Sequence, residues 1–459
     1  MTGRPLTTGE APVAYSAQSE ERTVPVGYKL TEVGVIPEDW KLKRLVTIAQ
    51  IRSGIAKNSN NSIAHPVSVH YLRVANVQDG FLDLSDMSKI LVNRSDVERY
   101  SVLPGDMLMN EGGDLDKLGR GALWYGEFSP CIHQNHVFVV RCGLSLSPQF
   151  LNFLTASVSA RKYFMVAGKQ TTNLASINKT ALGQLPVPIP PLAEQQAIAE
   201  ALSDVDGLLG GLEKLIAKKR AIKTGAMQQL LTGKTRLPGF GKGQGYKQTE
   251  VGEIPEDWKV ARLKAISSIN GRIGWQGLKQ EEFTFNDSEP FLITGMNFKD
   301  GKIRWDEVYH IQGGRYEEAR NIQLEKGDIL MTKDGTIGKL LYIESIPFPG
   351  KASLNSHLLV FRPISESYVP KFLFYQLSAK QFADYIELNK SGSTFFGITQ
   401  EAAGNYNAYL PLIKEQQAIA KVLSDMDQEI EALETRLVKT KSLKQGMMQE
   451  LLTGKTRLV

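Results

Sequence analysis

A duplicated frame is the feature that most constrains this 459-residue chain. GYKLTEVGVIPEDWKLKRL at 27–45 returns as GYKQTEVGEIPEDWKVARL at 245–263, and EQQAIAEALSD at 194–204 returns as EQQAIAKVLSD at 415–425. Both copies end in LLTGKTRL. The long stretches between these matched segments are dissimilar, so the pattern predicts two related modules that recognise two different things.

Length and composition set the broad class. The chain is long enough for two substantial cores. Its net charge of +5, from 54 basic and 49 acidic residues, is compatible with nucleic-acid binding without arguing for it. No apolar run approaches the roughly 20 residues that cross a bilayer, and Cys131 and Cys142 are too few for a disulfide framework. We therefore expect a soluble, cytoplasmic protein.

The two dissimilar stretches share a skeleton of short strands followed by a helix. The strands are predicted at 71–77, 103–110 and 136–141 and again at 291–297, 326–332 and 357–362, and the helices at 149–165 and 371–388. Gly, Pro and Asn punctuate the strands in both copies. This order predicts two similar α+β domains of roughly 150 residues each.

Each domain is followed by a long helix with a heptad seam. The seam residues are Ile198, Leu202, Val205, Leu209, Leu212 and Ile216 in the first helix, and Ile419, Leu423, Met426, Ile430, Leu433 and Leu437 in the second. Further along, Lys223 and Lys444 occupy the projected seam, and we expect Ile222 and Leu443 to replace them through a local change of register. Gly233 and the matching Gly454 are expected to cap the two helix ends.

Two exposed seams are most simply buried against each other, in an antiparallel coiled coil that separates the two α+β domains about a pseudo-two-fold axis. The predicted boundaries are a disordered extension at 1–26, a first domain at 27–188, a first long helix at 189–236, a linker at 237–248, a second domain at 249–409 and a second long helix at 410–459.

Motifs that imitate catalytic or metal sites are incomplete. TGKT at 232–235 follows a helix instead of opening one and lacks the first glycine of a phosphate-binding loop. Cys131, His133, His136 and Cys142 match no common zinc spacing, and only His136 has a counterpart, His357. A Pro-Glu-Asp turn is a poor scaffold for nuclease metals. We expect a non-catalytic chain without a metal site.

Three sets of polar loops recur at equivalent places in the two domains, and their Lys, Arg, Gln, Thr, Ser and Asn side chains suit phosphates and base edges. The first set is 51–62 and 270–280, the second is 110–121 and 332–339, and the third is 167–180 and 389–400. A solvated surface role remains the alternative for any one residue. The candidate DNA-binding residues are Arg52, Lys57, Asn58, Lys117, Arg120, Lys169, Gln170, Thr171, Thr172 and Asn173 in the first domain, and Arg272, Trp275, Lys279, Lys333, Thr336, Lys339, Lys390, Ser391, Ser393 and Thr394 in the second.

The paired PEDW segments, the EQQ-x-Ile-Ala helix starts after Leu192 and Leu412, and the LLTGKTRL helix ends together resemble the DNA-specificity subunit of type I restriction-modification enzymes. The resemblance covers nearly the whole chain after residue 27. It implies two target-recognition domains that each read half of a split double-stranded DNA site, with the helices as spacer. The second helix start has a single Pro where the first has two.

The resemblance also implies partners. Two methyltransferase subunits using S-adenosylmethionine would dock on the chain, and motor-nuclease subunits, with Mg²⁺ and ATP, would join for cleavage. Two alternatives stay open: a coiled-coil scaffold whose domains bind proteins, and an unrecognised nuclease or methyltransferase. Salt-sensitive DNA affinity would argue against the scaffold, and activity of the chain without partners would favour the enzyme.

Overall fold

A computed structural model describes residues 24–56, 66–114, 118–170, 175–241, 243, 245–250, 252–272, 278–299, 301–392 and 396–458. The chain divides into two compact units: unit 1 comprises Met1–Gly211 and Leu437–Val459, and unit 2 comprises Leu212–Arg436. Each unit therefore takes one end from each long helix. The predicted disordered extension at 1–26 lies outside the described residues except for its last three positions.

Unit 1 opens with hairpin strands and continues into an α+β domain. Its elements are β1 Tyr28–Thr31, β2 Gly34–Pro37, β3 Lys41–Arg44, β4 Ala49–Ser53, β5 Pro66–Leu72, β6 Ser88–Asn93, α1 Arg94–Tyr100, β7 Met107–Asn110, β8 Gly112–Gly113, β9 Gly121–Leu123, β10 Cys131–His133, β11 Val137–Cys142, α2 Pro148–Ala156, α3 Val158–Ala167, β12 Lys169–Gln170, β13 Ala175–Ser176, α4 Lys179–Gly183, β14 Pro186–Ile189 and the start of the long helix α5 Leu192–Leu230.

Unit 2 follows a similar order of elements. Its elements are β15 Tyr246–Thr249, β16 Gly252–Pro255, β17 Lys259–Arg262, α6 Leu263–Ile266, β18 Ser267–Asn270, β19 Phe283–Thr284, β20 Phe291–Ile293, β21 Phe298–Lys299, β22 Lys302–Ile303, β23 Tyr309–Ile311, α7 Gly313–Glu317, β24 Ile329–Thr332, β25 Leu340–Tyr342, β26 Ala352–Leu354, β27 Leu358–Pro363, α8 Pro370–Leu377, α9 Lys380–Asn389, α10 Gln400–Gly404, β28 Asn407–Leu410 and the start of the long helix α11 Ile413–Leu451.

The central sheet of each unit is antiparallel and has the same topology. Its strand order is β4-β11-β7-β9 in unit 1 and β18-β27-β24-β25 in unit 2. A second sheet contains one parallel pair in each unit, β5 with β10 and β20 with β26. Helices α2 and α3 pack on the central sheet of unit 1 through buried aromatic residues, among them Phe138, Phe150 and Phe164. The predicted α+β class and the internal repeat are confirmed.

Two predicted strands end earlier than expected because a buried asparagine captures the backbone. The predicted strand at 71–77 stops at Leu72, where Asn76 accepts a hydrogen bond from the backbone N–H of Arg73 at 2.9 Å. In unit 2, Asn297 accepts from the backbone N–H of Thr294 at 2.8 Å. A side-chain acceptor three residues ahead closes a turn that competes with the strand ladder.

The predicted helices at 149–165 and 371–388 are each a pair of shorter helices. The first pair meets at Ser157, whose hydroxyl accepts from the backbone N–H of Ala160 and so caps the start of α3. In unit 2, α8 ends at Leu377 and α9 begins at Lys380.

The PEDW and EQQ segments meet inside each unit. Trp40 is fully buried and its indole N–H donates to Glu194 at 3.2 Å, while Trp258 and Glu415 make the same bond in unit 2. An arginine from the LLTGKTRL segment closes each cluster. This geometry explains why the PEDW, EQQ and LLTGKTRL segments recur together in the sequence.

The closing arginine of unit 1 is Arg457, which contacts Glu194 at 2.6 Å and Asp39 at 2.9 Å. The closing arginine of unit 2 is Arg236, which contacts Glu415 at 2.5 Å and Asp257 at 2.9 Å. Each group of one arginine, two carboxylates and one tryptophan is called a helix-end clamp below. The clamp fastens the end of one long helix to the start of the other within one unit.

Gly233 and Gly454 end the long helices in the left-handed conformation, each with φ of 71°, as the sequence predicts. A β-carbon would also collide at both positions, 2.4 Å from Cγ of Pro255 and of Pro37 respectively. Only glycine therefore satisfies both the cap and the packing against the PEDW segment.

The long helices α5 and α11 each span 39 residues. Within each unit they run antiparallel, because the start of one helix contacts the segment that follows the end of the other. Lys444 contacts Asp206 at 2.6 Å in unit 1, and the equivalent Lys223 contacts Asp427 at 2.5 Å in unit 2. The expected replacement of these lysines by Ile222 and Leu443 is wrong, since both apolar side chains are exposed. At these positions the two helices are joined by an ion pair and not by apolar side chains in a shifted register.

Among the described residues, none of the helices combines the length and apolarity of a membrane span.

Candidate nucleic-acid interface

The recurring polar loops of unit 1 converge at one edge of its central sheet. The loop after β7 forms β8, which pairs with β13, and β13 pairs with β12, so the second and third loop sets share a small sheet. The first loop set reaches the same edge, where the backbone N–H of Ile55 donates to His133 and Ile55 accepts from Asn135. Loops far apart in sequence thus meet through strand pairing.

Glu111 lies at the centre of this edge. Its backbone N–H donates to the carbonyl of His136 at 2.9 Å, and its carbonyl accepts from the N–H of Ile177 at 2.8 Å. Its carboxylate Oε2 lies 2.6 Å from Nδ1 of His136, so His136 donates from Nδ1. We call Glu111, His136, Gly112–Gly113 and Ala175–Ser176 the first edge cluster.

Unit 2 has the same backbone arrangement around Lys333. Its N–H donates to the carbonyl of His357 at 2.9 Å, and its carbonyl accepts from the N–H of Ile398 at 2.9 Å. Ser391 and Gly397 exchange a pair of backbone hydrogen bonds beside it, each 2.9 Å long. We call Lys333, Asp334, His357, Ser391 and Gly397 the second edge cluster.

The carboxylate of the second edge cluster comes from the next position along the chain. Asp334 Oδ2 lies 2.8 Å from Nζ of Lys333 and 3.1 Å from Nδ1 of His357. Burial alone would raise the pKa of Asp334, but hydrogen bonds from Lys333 and His357 outweigh burial and hold the pKa below its ordinary value. Asp334 is therefore an anion that fixes both neighbours.

An open pocket of about 450 Å³ adjoins the second edge cluster. It gathers residues from all three loop sets of unit 2, and its lining is Gly271, Arg272, Lys333, Asp334, Leu359, Ser391, Gly397, Ile398, Thr399 and Gln400. Arg272, Lys333 and Ser391 are three of the candidates that the sequence singles out. The pocket shows that the three loop sets converge in unit 2 as well.

Several candidates are exposed at the surface. Lys169, Lys279, Thr336, Lys339 and Ser391 all present exposed side chains. Lys169 belongs to β12, and the adjacent Gln170 pairs through its backbone with Ala175. Exposed ammonium and hydroxyl groups at loop positions are available to phosphates and base edges.

Lys390 is only partly exposed. Its ammonium group contacts Glu387 at 2.5 Å and lies 4.8 Å from the ring centroid of Phe396. Both contacts hold the lysine at the end of α9, next to Ser391. A phosphate would therefore compete with one surface ion pair of small free energy.

Arg52 and Arg272 are used inside the protein. Arg52 donates to the backbone carbonyls of Arg99 and Ser101 at 3.3 and 3.2 Å. Arg272 is 5% exposed, donates from Nε to the carbonyl of Leu354 at 2.8 Å, and burial lowers its pKa to about 10. Both guanidinium groups therefore hold loops within their own unit, and their assignment as DNA contacts stays a prediction.

Arg120 is intermediate between these cases. Its side chain is partly exposed, but its Nε is buried and has no hydrogen-bond acceptor among the described residues. Its carbonyl accepts from the backbone N–H of Asn110 at 3.1 Å, which holds the start of β9 beside the end of β7. The backbone of Arg120 therefore lies next to the first edge cluster.

The remaining candidates lie outside the described residues: Lys57, Asn58, Lys117, Thr171, Thr172, Asn173, Trp275, Ser393 and Thr394. All nine belong to the same recurring loops, and their assignment stays a prediction.

Glu111 and Asp334 are the site residues that the sequence reasoning missed. The usable signal was the pair His136 and His357, the one recurring histidine pair in otherwise unlike strands. A carboxylate lies within hydrogen-bond distance of Nδ1 in both copies. It comes from a different strand position in each copy, so residue identity alone does not align them.

The four residues considered as a zinc set serve other purposes. His133 is fully buried and its Nδ1–H donates to the carbonyl of Val137 at 2.6 Å. Cys131 and Cys142 are free thiols, and burial raises the pKa of both to about 12. Across the part of the chain that the structure describes, three or more His, Cys, Asp or Glu side chains nowhere gather to hold a metal ion.

Known proteins share both the sequence and the fold of this chain. The putative type I restriction enzyme MjaX specificity subunit of Methanocaldococcus jannaschii is 29% identical over 438 residues, which cover 94% of this chain and 97% of that protein. The EcoBI specificity subunit of Escherichia coli is 23% identical over 438 residues, covering 91% of this chain and 86% of that protein.

Two solved structures share the fold. A chain in a structure of the type I R-M system superposes with a TM-score of 0.55 at 17% identity, covering 92% of this chain and 99% of that one. The type I restriction-modification S subunit from M. genitalium superposes with a TM-score of 0.53 at 15% identity, covering 92% and 97%. The sequence resemblance stated above is therefore confirmed.

The type I restriction modification DNA specificity domain matches this chain twice, at residues 37–223 and 255–440. Each match contains one edge cluster and the start of one long helix. Since the two matches together span most of its length, this chain belongs to the type I restriction modification DNA specificity domain family.

Proposed function

We propose that each unit of this chain reads one half of a two-part DNA site and that the long helices set the gap between the halves. DNA sequence recognition in a type I restriction-modification system is the function of this family. The observation that carries the finer proposal is the pair of edge clusters, which have one backbone arrangement and unlike side chains. Two clusters that share a backbone arrangement but differ in their side chains suit two half-sites of different sequence.

The exposed groups around the edge clusters fit DNA. Lysine and hydroxyl groups position a protein on phosphates, and carboxylate, amide and ammonium groups distinguish base edges in the major groove. Lys169 and Lys339 supply exposed cations in units 1 and 2 respectively. Because half-sites of helix-paired DNA readers are commonly about one helical turn apart, we propose a similar separation here.

The chain itself is proposed to be non-catalytic and to act with partner subunits. Two copies of a methyltransferase subunit would need two similar docking surfaces, and the exposed residues of the repeated PEDW segments and helix starts supply them. S-adenosylmethionine would be bound by those subunits, and Mg²⁺ and ATP by a motor-nuclease subunit. This division assigns recognition to the unlike regions and assembly to the repeated ones.

Single alanine substitutions test the assignment of half-sites. In the assembled methyltransferase, Lys169→Ala is expected to slow methylation only of DNA carrying the first half-site, and Lys390→Ala only of DNA carrying the second. A lost phosphate or base contact predicts a fall of about tenfold. The measurement is the methylation rate on hybrid sites in which one half is randomised.

Lys326→Ala is the matched control, because this exposed lysine precedes β24 and lies at the other end of the strand from the second edge cluster. Its methylation rate should equal that of the unaltered protein. Equal losses on both hybrid sites from Lys169→Ala would contradict the assignment of one half-site to each unit.

A further inference from the structure

The two edge clusters differ in charge at one matched backbone position. Glu111 and Lys333 make the same two backbone hydrogen bonds, one to a recurring histidine and one from a recurring isoleucine. Their side chains have similar accessibility, 31% and 27% exposed. One backbone position is therefore an anion in unit 1 and a cation in unit 2.

The backbone arrangement around this position is the same in both units, which makes the charge difference informative. His136 and His357 occupy equivalent positions, and both are more than half exposed. The clamp residues are also kept, with Arg457 matching Arg236. A surface that binds two identical partners has to stay alike in both units. A charge reversal within the same backbone arrangement therefore indicates a surface where the two units bind different chemical groups.

Glu111 and Lys333 match complementary bases. A carboxylate accepts a hydrogen bond from the N4 amino group of cytosine, and a lysine donates to O6 and N7 of guanine. The hydrogen bond from His136 uses Oε2 of Glu111, and a carboxylate accepts at both oxygens. The ammonium of Lys333 has three donors and its bond to Asp334 uses one.

We infer that Glu111 and Lys333 are specificity-determining residues, Glu111 selecting a cytosine amino group in the first half-site and Lys333 selecting guanine acceptors in the second. The inference rests on the proposed reading of one half-site by each unit. His136 is the positioning residue of Glu111, and Asp334 is the positioning residue of Lys333. The shared frame brings both side chains to the DNA in the same way, and their charge decides the base.

Charge reversal at each position tests the inference. The unaltered chain, Glu111→Lys and Lys333→Glu are each assembled with the methyltransferase subunits, and the methylated motif is read from a DNA library with both half-sites randomised. Glu111→Lys should change the base preference in the first half-site alone, from cytosine to guanine at one position. Lys333→Glu should make the opposite change in the second. Activity on the original site should fall about 10- to 100-fold.

Neutral variants keep the test decisive if a reversed charge disturbs folding. Glu111→Gln preserves length and polarity, and Lys333→Gln preserves polarity with a side chain one atom shorter. Both should lose discrimination at the same single position without gaining the opposite preference. Lys326→Glu is the control for a charge change elsewhere in unit 2 and should leave the motif unchanged.

The outcomes separate this inference from the function on which it rests. If the complex assembled with the unaltered chain methylates a two-part motif and the complexes with the Glu111 and Lys333 variants keep that motif, the specificity assignment is overturned while the proposed function stands. If the complex with the unaltered chain methylates no two-part motif, the proposed function itself fails. A change in the wrong half-site overturns the assignment as well.

Discussion

At the scale of single residues, the two units carry different side chains at equivalent backbone positions, and this gives them different properties. His133 illustrates this away from the edge clusters. It is fully buried in β10, and the equivalent position of β26 in unit 2 is Leu354, also fully buried. Burial lowers the pKa of His133 to about 4. Unit 1 thus contains an ionisable group where unit 2 contains an apolar one.

The free energy of unfolding of unit 1 should depend on this histidine between pH 6.5 and about 4. In that window the unfolded chain binds a proton that the folded chain excludes, so the stability is present above pH 6.5 and declines as the pH falls. The expected loss is about 3 kcal/mol. His133→Leu, which copies unit 2, should remove it.

The measurement is hydrogen exchange of β10 amides as a function of pH, compared between the original chain and His133→Leu. Carboxylates titrate in both proteins, so only the difference between the two curves reports His133. Superimposable curves would contradict the assignment of a neutral buried imidazole.

At the scale of elements, the sequence predicts what apolar periodicity and turn chemistry determine. The heptad seams give the long helices, and Gly233 and Gly454 give their ends. The register near Lys223 and Lys444 was mispredicted because a periodicity rule counts apolar side chains, whereas here an interhelical ion pair fills the seam. The pairing of Glu111 with His136 depends on strand register between β7 and β11, which residue spacing alone does not fix.

Candidate residues on loops were predicted by recurrence and composition, and these signals find exposed groups such as Lys169. Recurrence and composition cannot separate such exposed groups from buried arginines such as Arg272, which donates to a carbonyl and a hydroxyl group of another strand. The composition of a loop shows which hydrogen-bond donors are present. Only the folded chain shows which of these donors already bind an acceptor within the protein.

The helix-end clamp is the element-scale contact with the clearest energetic consequence. Arg457→Ala would leave Glu194, whose side chain is 2% exposed, without its guanidinium partner. Breaking a buried ion pair in this way costs roughly 3–5 kcal/mol. We expect a loss of that order in the free energy of unfolding of unit 1, measured by hydrogen exchange of the α11 end.

Arg44→Ala is the matched control, because Arg44 forms an exposed ion pair with Glu32 in the same unit. Such a pair contributes about 0–1 kcal/mol. If Arg457→Ala lowered stability no more than Arg44→Ala, the clamp would be a surface contact without structural importance.

At the scale of the whole molecule, duplication separates geometry from recognition. The repeated parts are the clamps, the PEDW segments and two helices of 39 residues each. The unlike parts are the edge clusters and the loops around them. The central claim is that helix length determines the gap between the two half-sites, while the edge clusters determine the sequence of each.

A paired helix insertion tests this claim most directly. Seven residues inserted after Gly211 of α5 and seven after Ala432 of α11 preserve the heptad seam and lengthen each helix by about 10.5 Å. At 3.4 Å per base pair this predicts a gap longer by about three base pairs. Seven residues inserted into the linker at 237–248 should leave the gap unchanged.

The measurement is the methylated motif of each assembled variant. The account predicts that the helix insertion lengthens only the unread gap and leaves both half-site sequences unaltered. An active helix-insertion variant that methylates the original spacing would contradict it.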